Sequence, residues 1–399
     1  MPGLGPDARS RSGPEARSGP GSDARSRPDA RSGPGSPPTA RLDAHPDAGG
    51  GLDGYLAAHQ QAILEAHDRI APHIRRTPTL TTDLDPDLLL KPECFQVTGS
   101  FKPRGAFNAV LLLRQREPGV RGVIAVSSGN HAQAVALAAR TAGLEAVIVI
   151  PADANPAKVE ATRRLGAEVV QEGVTFDNRE RRMREIQAER RLALIHPFDD
   201  WDVIHGAATA VKELLEDVPA GEIEIVVAPV GGGGLLSGSA LVAKATLGTR
   251  VIGVEPERAD DAARTFRSGR IQTLAASPDT IADGVRVVRI GERNFEIMVT
   301  KRLIDDIVTV TEQEVEQALL TAWSRLKLAL EPTGALPLAA YLAGKLGGAV
   351  GRHRRQDAGE HEGTGGGTGA GAEGGKIALI LSGGNFNPQV VSGILAGTV

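Results

Sequence analysis

The chain has 399 residues, 41% hydrophobic and 24% charged, a globular mixture long enough for one large or two ordinary domains with ample core. A formal charge of -4 gives no reason to expect nucleic acid or an anionic membrane as partner. A single cysteine, Cys94, excludes an intrachain disulfide and a Cys-rich metal site, and no apolar run is long enough to span a bilayer.

Residues 1–49 recycle Asp-Ala-Arg-Ser and Ser-Gly-Pro units with almost no bulky apolar side chain, and such a tail is expected to be disordered. Its Arg and Ser content resembles an organellar transit peptide, but its aspartates and lack of amphipathic periodicity argue against one, and it has no apolar core of a secretion signal. A cytoplasmic protein is the expectation. A GC-rich genome is the blander source of such a composition, and a true start downstream of Met1 is a hypothesis that intact mass would test. A second low-complexity segment, 352–375, reads as a flexible surface insertion in which His353 and His361 are solvated.

Between these segments the pattern is ordered. Leu56, Ile63, Ile70 and Ile74 recur at helical spacing, predicting an amphipathic helix over Tyr55–Ile74. Short β-branched runs then alternate with helical segments. Val123–Val126 is a strand, Ala132–Ala142 a helix and Val147–Ile150 a strand. A helix capped by Asn155 with Pro156 in its first turn comes next. A basic helix near Asp177–Arg191, a strand Ile223–Ala228, a helix from Leu235 and a strand Val251–Val254 continue the rhythm. Thr311 and Glu314 form a capping box for a helix expected to end near Ala329, and Lys376–Leu381 is a last buried strand. Such alternation predicts an α/β protein with parallel sheet, whose sites sit at the carboxyl ends of strands.

Several polar motifs fall at those ends. In Ser100-Phe101-Lys102-Pro103-Arg104-Gly105-Ala106 a lysine stands between an aromatic ring and a tight turn. An amine on a flexible stem forms Schiff bases, and confinement lowers its pKa. After Val126, Ser127-Ser128-Gly129-Asn130-His131 leads into a helix whose free N–H groups suit an anion, with an ordinary cap as the alternative. Four glycines, Gly231-Gly232-Gly233-Gly234, separate a buried strand from a helix and suit a phosphate cradle of backbone amides, though they match neither a dinucleotide fingerprint nor a P-loop. Ser382-Gly383-Gly384-Asn385 follows the last strand, and Glu331-Pro332-Thr333-Gly334 places a carboxylate in a turn. Glu255 through Asp261 gathers oxygen ligands suited to Mg²⁺ or Ca²⁺, with an acidic solvated loop as the usual explanation.

Six motifs in order, SFKPRGA, SSGNHAQ, PVGGGGLLSG, VEPERADD, EPTGAL and LSGGN, resemble those of the pyridoxal-phosphate-dependent threonine/serine dehydratases and serine racemases. The resemblance runs from about Tyr55 to the C-terminus, without the Gly-rich insertion. It implies a tryptophan-synthase-β-like fold (fold type II), two open, mostly parallel sheets flanked by helices. A small domain over 122–199 would be inserted in a large one over 50–121 and 200–399.

By motif, Lys102 would carry the cofactor as a Schiff base and Phe101 would lie against its ring. Asn130 would bond the ring hydroxyl, Gly231, Gly232, Gly233 and Gly234 would hold the phosphate, and Ser382 would face the pyridine nitrogen. Ser127, Ser128 and His131 would surround the substrate carboxylate, Glu331 would also face substrate, and Ser128 matches the racemases' second proton carrier. Glu255, the Ala259 carbonyl and Asp261 match the relatives' divalent-cation site, for Mg²⁺ or else Ca²⁺ or Mn²⁺. The implied activity is dehydration and deamination of L-threonine and L-serine by a homodimer with a small amino-acid substrate. Serine racemase or 3-hydroxyaspartate ammonia-lyase is the first alternative, and a silent ligand-binding protein the remote one.

Two departures stand out. The family commonly reads Ile-Ala-Gly-Gln-Gly-Thr where this chain has Ile204-His205-Gly206-Ala207-Ala208-Thr209, which puts fine substrate positioning in question. No regulatory domain follows the catalytic part, so feedback inhibition by isoleucine is not expected.

Overall fold

The computed structural model describes residues 51–245, 249–347 and 375–397, and the tail 1–49 and the Gly-rich insertion up to residue 374 lie outside them. The described residues belong to one compact unit. The first half of the chain comprises α1 (Gly51–Ile70), β1 (Leu80–Thr81), β2 (Leu88–Pro92), α2 (Lys102–Arg116), β3 (Gly122–Val126), α3 (Asn130–Ala142), β4 (Glu145–Val149), α4 (Pro156–Arg164), β5 (Glu168–Val170), α5 (Arg179–Arg190), β6 (Ala193–Leu194) and α6 (Trp201–Asp217). The second half comprises β7 (Ile223–Pro229), α7 (Gly234–Ala243), β8 (Arg250–Pro256), α8 (Asp261–Ser268), α9 (Glu292–Phe295), β9 (Asp306–Val310), α10 (Glu312–Thr321), α11 (Pro332–Leu342), β10 (Lys376–Leu381) and α12 (Pro388–Ala396).

These strands form two sheets. One has the order β1-β2-β10-β7-β8-β9, parallel except for the β1–β2 pair, and the other has the order β5-β4-β3-β6, parallel throughout. The second sheet is drawn entirely from strands between residues 122 and 194. Ile225, Val227, Ile252, Val254, Leu379 and Leu381 are buried in one core cluster, while Val226, Ala228, Val251, Ala378 and Ile380 are buried in another. Both faces of the large sheet are therefore covered, as parallel strands require, and the strands read as continuous apolar runs.

Local chemistry explains most boundaries. Asn155 Oδ1 accepts from Ala157 N at 2.8 Å and Pro156 opens α4, as expected. The capping box is complete: Thr311 Oγ1 accepts from Glu314 N, and Glu314 Oε2 accepts from Thr311 N. Two expected ends move. α1 stops at Ile70, four residues before Ile74, because Pro72 lacks an N–H and disfavours a helical residue before it. α10 ends at Thr321 and runs on as one π-turn, Ala322–Leu326, closed by Lys327 at φ 57°, short of Ala329. That turn redirects the chain so that Leu328 and Leu330 enter the core and Glu331 reaches the strand ends.

β10 lies between β2 and β7, and Leu379 pairs with Val227, each two residues short of its strand's end. Ser382 and the four glycines consequently emerge side by side.

Candidate active site

Lys102 opens α2, and its place is set by backbone bonds to the loop after β10. Phe101 N donates to Ser382 O at 3.0 Å, Ser100 bridges to Gly383, and Gly384 N donates to Gly99 O at 2.9 Å. The Lys102 amine donates to Pro197 O at 2.8 Å and stands 4.9 Å from the Phe101 ring centre. Burial pushes its ammonium down to about 8, because desolvation disfavours the charged form. A lysine titrating there keeps a useful neutral fraction at physiological pH.

The helix is anchored two residues on. Arg104, fully buried, donates from Nε and Nη2 to Glu93 at 2.7 and 2.8 Å and from Nη1 and Nη2 to Glu213 at 2.8 Å each. It also reaches Thr209 and Thr77, and Lys91 donates to Glu213 at 3.0 Å and to Thr77 O at 2.7 Å. Two cations thus face two carboxylates with their donors satisfied. Burial alone would lower the Arg104 pKa, but Glu93 and Glu213 outweigh it and hold the guanidinium charged. Sequence reasoning missed this network, since the partners of Arg104 lie 11 and 109 residues away.

α6 braces the same helix. A Cβ at Gly206 would lie 2.3 Å from Arg104 O, and one at Gly105 would lie 2.7 Å from Val203 O, so α2 and α6 cross backbone on backbone. Residues 204–209 are packed into this crossing. His205 hydrogen-bonds His59 of α1 at 2.8 Å, Ala207 is in the core, and Thr209 meets Arg104.

Around the lysine stand the other motifs. Ser127 Oγ accepts from Gly129 N at 3.2 Å, and Gly129 caps α3 without a side-chain bond, so the first amides of this 13-residue helix stay uncapped. Ser128 is exposed. Asn130 Nδ2 donates to Glu331 Oε1 at 2.6 Å, and Asn130 Oδ1 accepts from Asn385 at 2.8 Å. Asn130 keeps one N–H for another acceptor. Burial first, and Asp283 next, push the Glu331 carboxyl up to about 7. His131 faces Ile195 O through Nε2 at 3.0 Å, so that nitrogen carries the proton, and burial pushes the ring down to about 3. A neutral His131 offers a lone pair at Nδ1, not a proton for a carboxylate.

The glycine loop is crowded on every side. A Cβ at Gly232 would lie 2.2 Å from the Phe198 ring, and one at Gly234 would lie 3.2 Å from Phe198. At Gly231 it would stand 3.1 Å from Val285, and at Gly233, where φ is +101°, 2.8 Å from Asn294. Close packing demands glycine at 232 and 233 and leaves little room at 231 and 234, a reason the sequence did not reveal. Among the described residues the N–H groups of Gly231, Gly232 and Gly233 meet no protein acceptor, so they stay available to an anion.

At the end of β8, Glu255 accepts from Ala263 N at 2.7 Å and from Ala262 N at 3.3 Å. Burial raises the Glu255 carboxyl well above its usual range and pushes Asp261 up to about 7, while Asp261 Oδ2 is buried with no hydrogen-bond partner. Two buried carboxylates, one with an unpartnered oxygen, in the segment that holds Ala259 fit the chemistry of a divalent cation. Among the described residues no group of three or more His, Cys, Asp or Glu is placed for a metal.

A confined amine, an adjacent aromatic ring, free loop amides at the start of α7 and a buried Ser382 hydroxyl fit an aldehyde cofactor with a phosphate tail. The comparisons agree: residues 70–353 match the model of the pyridoxal-phosphate dependent enzyme family, and the chain belongs to that family, with the α/β architecture of fold type II. A serine racemase from Oryza sativa subsp. indica is 39% identical over 344 residues, 85% of this chain and 94% of the relative. The L-threo-3-hydroxyaspartate ammonia-lyase of Saccharomyces cerevisiae is 39% identical over 84% of this chain and 95% of its own. Among solved structures, a threonine deaminase from T.th. superposes with a TM-score of 0.70 at 45% identity, over 82% of this chain and 98% of that one. No helix among the described residues is long and apolar enough to cross a membrane.

Proposed function

We propose that this enzyme catalyses β-elimination on L-threonine and L-serine, giving 2-oxobutyrate or pyruvate with ammonia. The water lost in elimination is regained in hydrolysis. The observation that carries this reading is the Lys102 amine, brought down to about 8 and seated where the β10 loop, the start of α3 and the Pro197 carbonyl converge.

Bound pyridoxal phosphate supplies the electron sink that makes Cα acidic. Lys102 is then the base. At pH 7.5 an amine of pKa about 8 is roughly one-quarter neutral, against about one part in a thousand for an ordinary lysine. The uncapped amides of α3 with Ser127 and Ser128 take the substrate carboxylate, and neutral His131 forms the wall behind it. Phe101 lies against the cofactor ring, Gly231–Gly234 hold its phosphate, and Asn130 spends its spare N–H on the ring hydroxyl. Ser382 would offer the pyridine nitrogen a neutral hydroxyl partner, which suits prompt loss of the β-hydroxyl. Glu331, hydrogen-bonded to Asn130, holds that amide in place. Glu255, the Ala259 carbonyl and Asp261 bind Mg²⁺ or a related ion. Residues 122–199 act as a small domain over this site, in a homodimer.

A second reading, serine racemisation or elimination from 3-hydroxyaspartate, rests on the names of the two relatives at 39% identity. Exposed Ser128 would then return a proton to the other face. One experiment separates these. Purified protein is scanned before and after L-threonine, with 2-oxobutyrate assayed in the same tube. A band near ~410–420 nm that shifts as oxo acid forms supports the proposal. A band without turnover moves the assay to serine, with chiral analysis, and to 3-hydroxyaspartate; no band at all leaves a silent binding protein.

A further inference from the structure

We infer that Asn294 is a positioning residue for the glycine loop, turning the loop's amides toward a phosphate by holding the Gly232 carbonyl on the opposite side. The inference rests on the cofactor reading above and assigns a further residue to it.

Asn294 is fully buried in α9, just before the π-turn Glu296–Thr300. Its Nδ2 donates to Gly232 O at 2.9 Å and to Phe198 O at 3.0 Å. Both partners are carbonyls, which only accept, so the amide has a single workable orientation. Gly291 N adds a second bond to Gly232 O at 3.1 Å. In a trans peptide the C=O of one residue and the N–H of the next point in opposite directions. With the Gly232 carbonyl drawn toward Asn294, the Gly233 N–H faces the other way, and it has no protein acceptor among the described residues.

The fit is close. The missing Cβ of Gly233 would lie 2.8 Å from Asn294 Cβ and 3.0 Å from Met298 Cε, so loop and side chain are packed at contact distance. Asn294 also reaches beyond the loop. Phe198, whose carbonyl it holds, follows Pro197, whose carbonyl receives the Lys102 amine. Asp199 completes the strap, accepting from Glu292 N at 3.1 Å and Arg293 N at 2.9 Å. One buried amide thus ties the anion-facing loop to the segment that seats Lys102. A helix cap or packing residue needs neither of these two carbonyls; a group that sets the direction of a peptide does.

The test compares two aldehydes that differ only in the phosphate. Equilibrium binding of pyridoxal 5′-phosphate and of pyridoxal is measured on cofactor-free wild type, Asn294→Leu and Asn294→Ser, by absorbance of the bound aldehyde, with thermal melting alongside. Wild type prefers the phosphorylated compound. Both variants are expected to lose about tenfold or more in affinity for it while binding pyridoxal within about twofold of wild type. Leu keeps the volume and Ser opens space, so one variant decides if the other does not fold. Equal losses for both aldehydes would mean a general structural role and overturn the inference, as would an unchanged preference in the variants. A wild type that binds the two compounds alike would overturn the phosphate-cradle reading itself, and the inference with it.

Discussion

Lys102 makes this site and strains it. Burial lowers its ammonium from 10.5 to about 8, so the unfolded chain binds a proton more tightly than the folded one. The sign follows: between these pH values the unfolded state holds more protons, and stability rises with pH. At pH 7 the penalty is about 3 kcal/mol, from roughly 1.4 kcal/mol for each of the two and a half pH units between the pKa values; by pH 10 it has shrunk to under about 1 kcal/mol. Lys102→Met keeps the length of the side chain and removes the charge. In cofactor-free protein this variant should therefore be more stable than wild type at pH 7 by about 2 kcal/mol more than at pH 10, while turnover is abolished. Urea unfolding of both proteins at pH 7, 8.5 and 10, analysed by linear extrapolation, measures the difference. Any packing offset of methionine is constant across the series and drops out. A stability difference that stays flat from pH 7 to pH 10 would show that the amine is not desolvated, and would remove the basis for its role as a neutral base.

Three further outcomes are expected. Arg104→Met leaves Glu93 and Glu213 facing Lys91 alone, a net buried negative charge, and should cost about 3–5 kcal/mol, read as a fall in urea midpoint; a change under about 1 kcal/mol would mean the network is not closed in solution. Asp261→Asn should abolish the rise in melting temperature that Mg²⁺ gives wild type while leaving the cofactor absorbance in place, and an undiminished Mg²⁺ effect would place the ion elsewhere. Glu331, raised to about 7, is protonated when folded below that pH, so its contribution to stability is present at low pH and lost as pH rises through 7. Glu331→Gln should flatten wild-type stability between pH 5 and 8, and an identical pH profile in the two proteins would exclude that assignment.

Much of this site was legible along the chain. Alternating apolar runs and caps announced the parallel sheets, because backbone period and turn chemistry are local, and the motifs at 127–131, 231–234, 255–261 and 382–385 fell at strand ends, where ligands gather. The order of the six motifs carried the family. What they could not carry is what each side chain does with its neighbours. The pKa of Lys102, the neutral His131, the Asn130–Glu331 bond between the start of α3 and the start of α11, and the closed tetrad at Arg104 all depend on burial and on partners up to 201 residues away. Asn294 shows it most clearly. In the sequence it is an unremarked residue of a short polar run, and only the meeting of α9 with the glycine loop makes its amide an orienting group. Hydrogen-bond direction and desolvation are properties of a packed interior, and no spacing along the chain encodes them.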